Sequence, residues 1–366
     1  MKNILLSLLF TTLFISIYSQ EKQSNLSIGG YGQIDFSHPK NEVANIDVHR
    51  MVLFVGYQFN DKVSFESEIE FEHVKELEVE QAFLNYKLGS NITAKAGLML
   101  VPMGLINQTH EPTTFFTVER PDQDHDIIPS TWTQIGIGLS GTIDKLAVKY
   151  QAYIFDGIKS YQNGTSFLRG IDGLRKGRQN GAEAFSSQAN FSTKINYFGI
   201  KGLNLGLAGY FGNTQTTDIA IKGSYIGISM IGIDATYQKN DWIFRTQYVL
   251  NNLSNTEAYN TLTGRDIGSK MQGFYIETAY NILKLLNKDA SEKLLIFSRY
   301  ETYDTHANVA GLLIKNKAYD RTITSLGFNY FMAPGAVFKT EYQIRENKVI
   351  GFDIANQFNM GIGISF

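Results

Sequence analysis

Two histidines and a run of carboxylates are the residues of this 366-residue chain whose types could do chemistry. His110 stands beside Glu111, and His125 lies between Asp124 and Asp126, which is the raw material of a metal site. Zinc takes three or four ligands at defined spacings, and no such spacing is present. The stretch from Asp122 to Asp126 has the alternate acids of a calcium loop. Ile127, however, stands where the turn glycine belongs and Thr133 where the bidentate glutamate belongs. Solvated loop charge is the plainer reading, with a loop-stabilising calcium behind it. Nucleophilic catalysis finds no Gly-x-Ser-x-Gly elbow. His38 and His306 fall in connections, His73 at a tight hairpin and His49 at the start of an apolar run. Each reads as an exposed polar side chain. No catalytic residue, metal ligand or cofactor is assigned, and an enzyme is the weaker class.

A second constellation is larger. Glu66, Glu68, Glu70 and Glu72 alternate with Phe65, Ser67, Ile69 and Phe71. That is the period of a strand, and it puts four glutamates on one face. Unpaired carboxylates are too costly for a dry core, so this face needs water while the other needs an apolar medium. The same alternation recurs in sixteen segments, near 25–37, 46–59, 62–72, 76–88, 92–101, 132–142, 144–155, 184–197, 202–212, 224–238, 241–252, 271–282, 292–303, 319–331, 335–346 and 354–366. A soluble sandwich uses fewer strands. Short turns alternate with longer connections, the pattern of a transmembrane barrel. The fold expected is all-β: a transmembrane antiparallel β-barrel of about 16 strands. In the fourth segment Leu77 and Val79 lie on one parity but Ala82, Leu84, Tyr86 and Leu88 on the other. Either a bulge near Glu80–Gln81 resets the face, or residues 76–80 lie beyond the membrane.

The address agrees. Met1–Ser19 has the charge, apolar run and small residue of a signal peptide, leaving 20–366 as the barrel. No other apolar stretch approaches the ~18 residues of a membrane helix. Cysteine is absent, which excludes a disulfide scaffold. A formal charge of −2 offers no general attraction to nucleic acid. Tyr57, Phe59, Tyr86, Tyr197, Tyr237, Trp242, Tyr280 and Tyr330 recur near strand ends, as in the aromatic girdles of barrels. The final segment alternates up to Phe366 and resembles the terminal recognition signal of bacterial outer-membrane proteins.

With the apolar face in lipid, the inward wall carries acids such as Glu66, Glu68 and Glu70 and bases such as Arg50, Lys95, Arg245, Arg299 and Arg321, in nearly equal number. A polar interior and apolar exterior imply a water-filled channel. The longest connection, 104–131, holds Pro112, Pro121 and Pro129 and the acids Glu111, Glu119, Asp122, Asp124 and Asp126 against Arg120. A loop of that length is functional or it argues against the strands around it. The expectation is a third outer loop inserted into the lumen, its acids facing Arg50, Arg245, Arg299 and Arg321 across a constriction. Glu111, Glu119, Arg120, Asp122, Asp124 and Arg50 are the constriction candidates. A solvated outer lid is the alternative. The 157–183 connection, with Arg169, Arg175, Lys176 and Arg178, reads as a mobile basic loop, or as one that binds lipopolysaccharide phosphates or a neighbouring subunit.

Four stretches carry a family resemblance: Arg50–Gly56, Glu80–Leu88, Lys95–Gly104 and Phe115–Pro121. They resemble porins of the phosphate-selective O and P type, and more narrowly the porin-like outer-membrane proteins of Bacteroidetes. The resemblance implies a sixteen-stranded barrel, commonly a homotrimer, with its third outer loop in the pore. In phosphate-selective members an arginine ladder and a lysine cluster on an inserted loop guide anions. Here the 212–223 connection carries only Lys222 and Asp218 as charged residues, and no phosphate ligand is carried over. The expected function is passive diffusion of small hydrophilic solutes or ions, anions among them, across a bacterial outer membrane whose lipids and lipopolysaccharide are the surroundings. A plugged structural or adhesive barrel is the second class.

Overall fold

The computed structural model describes residues 25–349, 351 and 354–366, so the expected signal peptide lies outside the described residues. The strands are β1 (Leu26–Pro39), β2 (Asn45–Gln58), β3 (Val63–Glu72), β4 (Glu76–Gly89), β5 (Ile92–Leu100), β6 (Thr133–Ile143), β7 (Val148–Phe155), β8 (Lys159–Gln162), β9 (Thr165–Ser166), β10 (Asn190–Tyr197) and β11 (Leu203–Asn213). They continue with β12 (Gln215–Thr216), β13 (Gly227–Lys239), β14 (Trp242–Ser254), β15 (Lys270–Asn281), β16 (Lys293–Asn308), β17 (Asp320–Ala333), β18 (Ala336–Asn347) and β19 (Gln357–Ser365). All but β8, β9 and β12 form one closed barrel in which each strand pairs with its sequence neighbours, and β1 pairs with β19 to close it. Closure removes the free edges that an open sheet would expose to lipid.

Every expected wall strand is present. The widest difference is at the start of β10, expected at 184 and found at Asn190. Side-chain amides capture the chain there: Gln179 accepts from the Phe185 amide, and Gln215 accepts from those of Ser187 and Gln188. The backbone is satisfied without a ladder. Similarly, β7 begins at Val148 because Asp144–Leu146 makes a 3-10 turn closed by Ala147 at φ 50°.

Burial is inverted relative to a soluble protein. Ile28, Ile137 and Ile233 are 64%, 60% and 55% exposed, whereas Arg299 and Glu301 are 1% and 0% exposed. Apolar side chains outside and charged ones inside are what lipid around a polar lumen requires. Of the girdle aromatics, Tyr57, Phe59, Tyr86, Trp242 and Tyr330 are exposed, and the Trp242 ring lies 4.6 Å from that of Tyr280. The parity conflict in β4 resolves as a bulge: Glu68 pairs with Gln81 and Ile69 with Val79, leaving Glu80 as the extra residue. Leu77 and Val79 before it, and Leu84, Tyr86 and Leu88 after it, all face outward.

The periodicity did not reveal what the long connections fold into. Strands β8, β9 and β12 form a small separate sheet, Gln123–Asp126 makes one helical turn (α1), and Thr256–Thr263 forms helix α2. Leu168 and Leu174 from the 157–189 connection and Tyr259 from α2 join one buried cluster with Val101, Met103, Ile127, Ile128 and Trp132.

Candidate functional site

The connection between β5 and β6 leaves and re-enters the wall through a clasped neck. Val101 N–H donates to the Trp132 carbonyl at 2.9 Å. The Asn107 amide, fully buried, donates to the Val101 and Trp132 carbonyls at 2.7 and 3.1 Å and accepts from Trp132 N–H at 2.7 Å. Between these ends the segment touches inward-facing side chains on widely separated strands. Lys194 on β10 donates to the Gly104 carbonyl (2.5 Å) and Gln247 on β14 accepts from Leu105 N–H (2.6 Å). Gln33 on β1 donates to the Val118 carbonyl (3.1 Å), Lys339 on β18 to those of Phe115 and Thr117 (2.7 and 2.9 Å), and Arg299 on β16 to the Thr117 hydroxyl (2.6 Å). Glu301 accepts from Gln123 N–H at 2.7 Å. At two positions the wall is glycine where the segment passes close: a Cβ on Gly273 would collide with the Gln123 amide oxygen, and one on Gly361 would stand 2.9 Å from Val118.

Two cavities flank the segment. One, of about 790 Å³ at the end with the long connections, is lined by Arg50, Arg120, Arg169, Arg175, Arg321 and Arg345. The same cavity carries Asp35, Asp47, Glu72, Glu119, Asp122, Asp124, Asp126 and Asp172. The other, of about 450 Å³ toward the short turns, is lined by Thr113, Phe116, Arg245, Lys284 and Lys293 among others.

The expected site residues divide accordingly. Arg50, Glu119, Arg120, Asp122, Asp124 and Arg321 meet around the larger cavity, and Arg245 belongs to the smaller one. Glu111 lines neither; its backbone carbonyl accepts from Thr114 and one carboxylate oxygen is buried without a hydrogen-bond partner. The wall residues are engaged locally. Glu66 accepts from Asn85 (2.7 Å), Glu70 pairs with Arg50 (3.3 Å), and Lys95 sits 4.7 Å over the Phe83 ring. Glu68 stays inward beside the bulge.

Loop acids and wall bases meet in a different pairing from the one expected. Of the four wall arginines named, Arg321 takes a loop acid, Asp126 at 2.8 Å. Arg50 goes to Glu70, Arg245 to Glu277 at 3.3 Å, and Arg299 to Glu301 at 3.4 Å, because each has an acid on its own or the adjoining strand. Arg345 on β18, a wall arginine outside those four, takes Asp122 at 2.5 Å. The 157–183 connection also turns inward: Arg175 donates to the Ser130 carbonyl, Arg178 to that of Thr131 (2.5 Å), and Arg169 pairs with Asp172. Arg175 and Arg178 hold the long segment, Arg169 stays within its own connection, and Lys176 remains exposed.

Enclosure sets the charge state of the loop groups. Glu119 reaches cavity water, yet loss of bulk solvent, with Asp122 and Glu341 nearby, pushes its carboxyl up to about 7. Burial does the same for Asp124, also to about 7, against the 2.7 Å hydrogen bond from Gln247. Asp122 is opposed by burial but held below its ordinary value by Arg345 and Arg299. Burial and the adjacent Arg50 lower Arg120 to about 10, and burial with Arg178 and Arg120 lowers Arg175 to about 9. Both arginines remain cationic at neutral pH.

The sequence profile described as phosphate-selective porin O and P matches residues 27–348, nearly the whole barrel. The chain belongs to that family. It is an outer-membrane channel for small solutes. An uncharacterised protein of Aquifex aeolicus is 33% identical over 351 residues, which span 90% of this porin and 77% of that relative. Among solved structures, this porin is similar in fold to the outer-membrane channel DcaP of Acinetobacter baumannii, with a TM-score of 0.63 at 10% identity over 93% and 97% of the two chains. It is also similar to an anion-selective porin from Comamonas acidovorans (TM-score 0.59, 11% identity, 93% and 99%) and to the trimer form of OmpT from Vibrio cholerae (0.58, 12%, 93% and 99%).

Proposed function

We propose that residues 101–132 set the constriction of this porin and that the arginine-lined cavity above them draws small anions and polar solutes toward it. The observation that carries the reading is the set of contacts from this one segment to β1, β10, β14, β16, β17 and β18, with a cavity on either side. A water-filled passage narrowed by a charged segment discriminates by size and by field. The six arginines supply positive charge that persists across the ordinary pH range, while part of the acid charge is titratable near neutrality. The anion-selective porin of similar fold supports the anion reading. The trimer form of OmpT supports a homotrimer, and the apolar exterior outside any subunit contacts would meet outer-membrane lipids and lipopolysaccharide. Export through the Met1–Ser19 signal belongs to the same proposal. A channel without catalysis is favoured because the Glu80–His110 pair, a base with an orienting acid, is closed in against Tyr31 away from the cavity.

The buried cluster of Val101, Met103, Ile127, Ile128 and Trp132 favours a second reading, a plugged structural or adhesive barrel. Planar-bilayer recording of the refolded protein under a KCl gradient separates the two. Stable conductance steps with a reversal potential on the chloride side support the proposed function, and replacing residues 110–126 by a short linker then raises the conductance several-fold. A folded, heat-modifiable barrel that never conducts would establish the plug. A linker variant with wild-type conductance would remove the constriction from this segment.

A further inference from the structure

His110, left without a role by the channel, sits among carboxylates that the sequence keeps far apart. Its Nδ1 lies 3.1 Å from the Asn107 carbonyl oxygen. A carbonyl only accepts, so Nδ1 carries the proton, and in the neutral ring Nε2 presents a lone pair. That lone pair faces Glu80 Oε1 at 2.9 Å and the Tyr31 hydroxyl at 2.8 Å, and the same hydroxyl lies 3.1 Å from Glu80 Oε2. One phenolic proton serves this triangle. Glu80 Oε1 and Glu68 Oε2 are buried with no hydrogen-bond donor, and Glu80 is 5% exposed. Ligand atoms of Glu68, Glu80 and His110 all lie within 4.8 Å of one another. Of the neighbouring guanidinium groups, Arg50 pairs with Glu70 at 3.3 Å, and Arg120 donates to the Thr131 hydroxyl at 2.8 Å and to the His110 backbone carbonyl at 3.4 Å.

We propose that Glu68, Glu80 and His110, with Tyr31 or water as the fourth donor, bind a divalent transition cation of the zinc type that pins the 101–132 segment to the wall. One imidazole nitrogen with two carboxylates is a borderline donor set, suited to zinc and its neighbours. Calcium and magnesium prefer oxygen alone. Bonds of about 2.0–2.2 Å to tetrahedral zinc put ligand atoms roughly 3.3–3.5 Å apart, so the present 2.8–3.1 Å contacts among His110, Glu80 and Tyr31 open by only a few tenths, and Glu68, whose ligand atom lies within 4.8 Å of those of Glu80 and His110, completes the set. The Asn107 carbonyl supplies the outer hydrogen bond that fixes a metal-bound imidazole. The bulge in β4 builds the site: the extra residue at 80 turns a carboxylate inward beside Glu68, where an unbulged strand would keep strict alternation.

Titration calorimetry of the refolded, chelator-stripped full chain with ZnCl2 tests this, and it requires no open pore, so its result is independent of the conductance experiment. One tight equivalent is expected, unaffected by excess Ca2+ or Mg2+. His110→Gln and Glu80→Gln should each weaken it by roughly tenfold or more. His73→Gln, in the separate and more exposed Asp47–His49–His73 group, should leave it unchanged. The heat-modifiable band on gels confirms that each variant is folded. Zinc should also slow proteolysis within 101–132 in the wild type and have no such effect in Glu80→Gln. Absence of saturable uptake by the wild type would show that a second proton on His110, making a plain ion pair with Glu80, fills the triangle, and the proposal would be overturned. Tight binding that survives His110→Gln but is lost in His73→Gln would overturn it equally.

Discussion

The two sides of the lumen are built from the same alternating strands and yet solve the problem of an inward face in opposite ways. Where β1–β4 and β14–β18 face in, the wall is a network of charges: Arg50 with Glu70, Arg299 with Glu301, Arg321 with Asp126, Arg345 with Asp122. Where β6, β7, β11 and β13 face in, apolar and aromatic side chains surround a buried pair, Lys194 with Asp234 at 3.1 Å: Tyr153, Phe155, Tyr210 and Met230 share one buried cluster with Met103 and Trp132, and the Trp132 and Tyr210 rings lie 4.6 Å apart. The long segment starts and ends in the apolar half and spends residues 110–126 in the charged half. The difference teaches that strand periodicity places a side chain inward without deciding whether water or another chain will meet it there. The apolar half anchors the segment by dispersion and area. The charged half aims it.

Substitutions in each half should therefore fail differently. Arg299→Met leaves Glu301 buried without its cation and should cost about 3–5 kcal/mol of folding stability, read as the urea midpoint of refolding into vesicles. Adding Glu301→Gln should recover part of that loss, because the penalty is an uncompensated charge. Trp132→Ala should cost a similar ~3–5 kcal/mol through the cavity it leaves, with no polar substitution able to restore it. If both variants behaved alike in the paired test, the distinction between the halves would collapse. Gly273→Val drives a side chain into the fully buried Gln123 and should cost about 1–3 kcal/mol; wild-type stability would mean that α1 does not rest on β15.

The smallest effect is one of pH. Asp124 and Glu119 have carboxyl groups raised to about 7. A group whose folded value is raised contributes stability that is fully present below its unfolded value, near 3.9 for Asp124, and lost as pH rises through 7. Docking of the segment should be firmer at pH 5 than at pH 8 by protease protection, and Asp124→Asn should flatten that dependence. Because Glu119 faces the cavity, lowering pH from 8 to 6 should move the reversal potential toward chloride. Glu119→Gln should hold the low-pH value at both pH values; a potential that still shifts in that variant would place the titrating group elsewhere.

Much of this was legible beforehand. The alternation of Glu66–Glu72 with Phe65–Phe71, repeated along the chain, requires strands with one face in water and one in lipid, and the reversal of parity around Ala82 leaves a bulge or a stretch beyond the membrane, of which the structure has the bulge. Those are local properties, readable because a strand's period is short and lipid tolerates few exceptions. The pairing of Asp122 with Arg345 was not legible. Those residues are 223 positions apart, and every arginine on the wall was an equally good partner until the register of β18 was known. The basic 157–183 connection misled for a related reason: a charge run usually lies in solvent, but here the carbonyls of Ser130 and Thr131 lay within reach of Arg175 and Arg178.

By itself the sequence determined a barrel of about sixteen antiparallel strands and its inward and outward faces, because each follows from periodicity, apolarity and chain length, and it singled out 104–131 as the longest connection. Only the tertiary structure decided what that segment touches, where its apolar ends are buried in the lumen, and that Tyr31, Glu68, Glu80 and His110 converge. Convergence depends on closing the ring and on one extra residue in β4, and neither the closure geometry nor the depth to which a long connection descends is encoded in any local stretch.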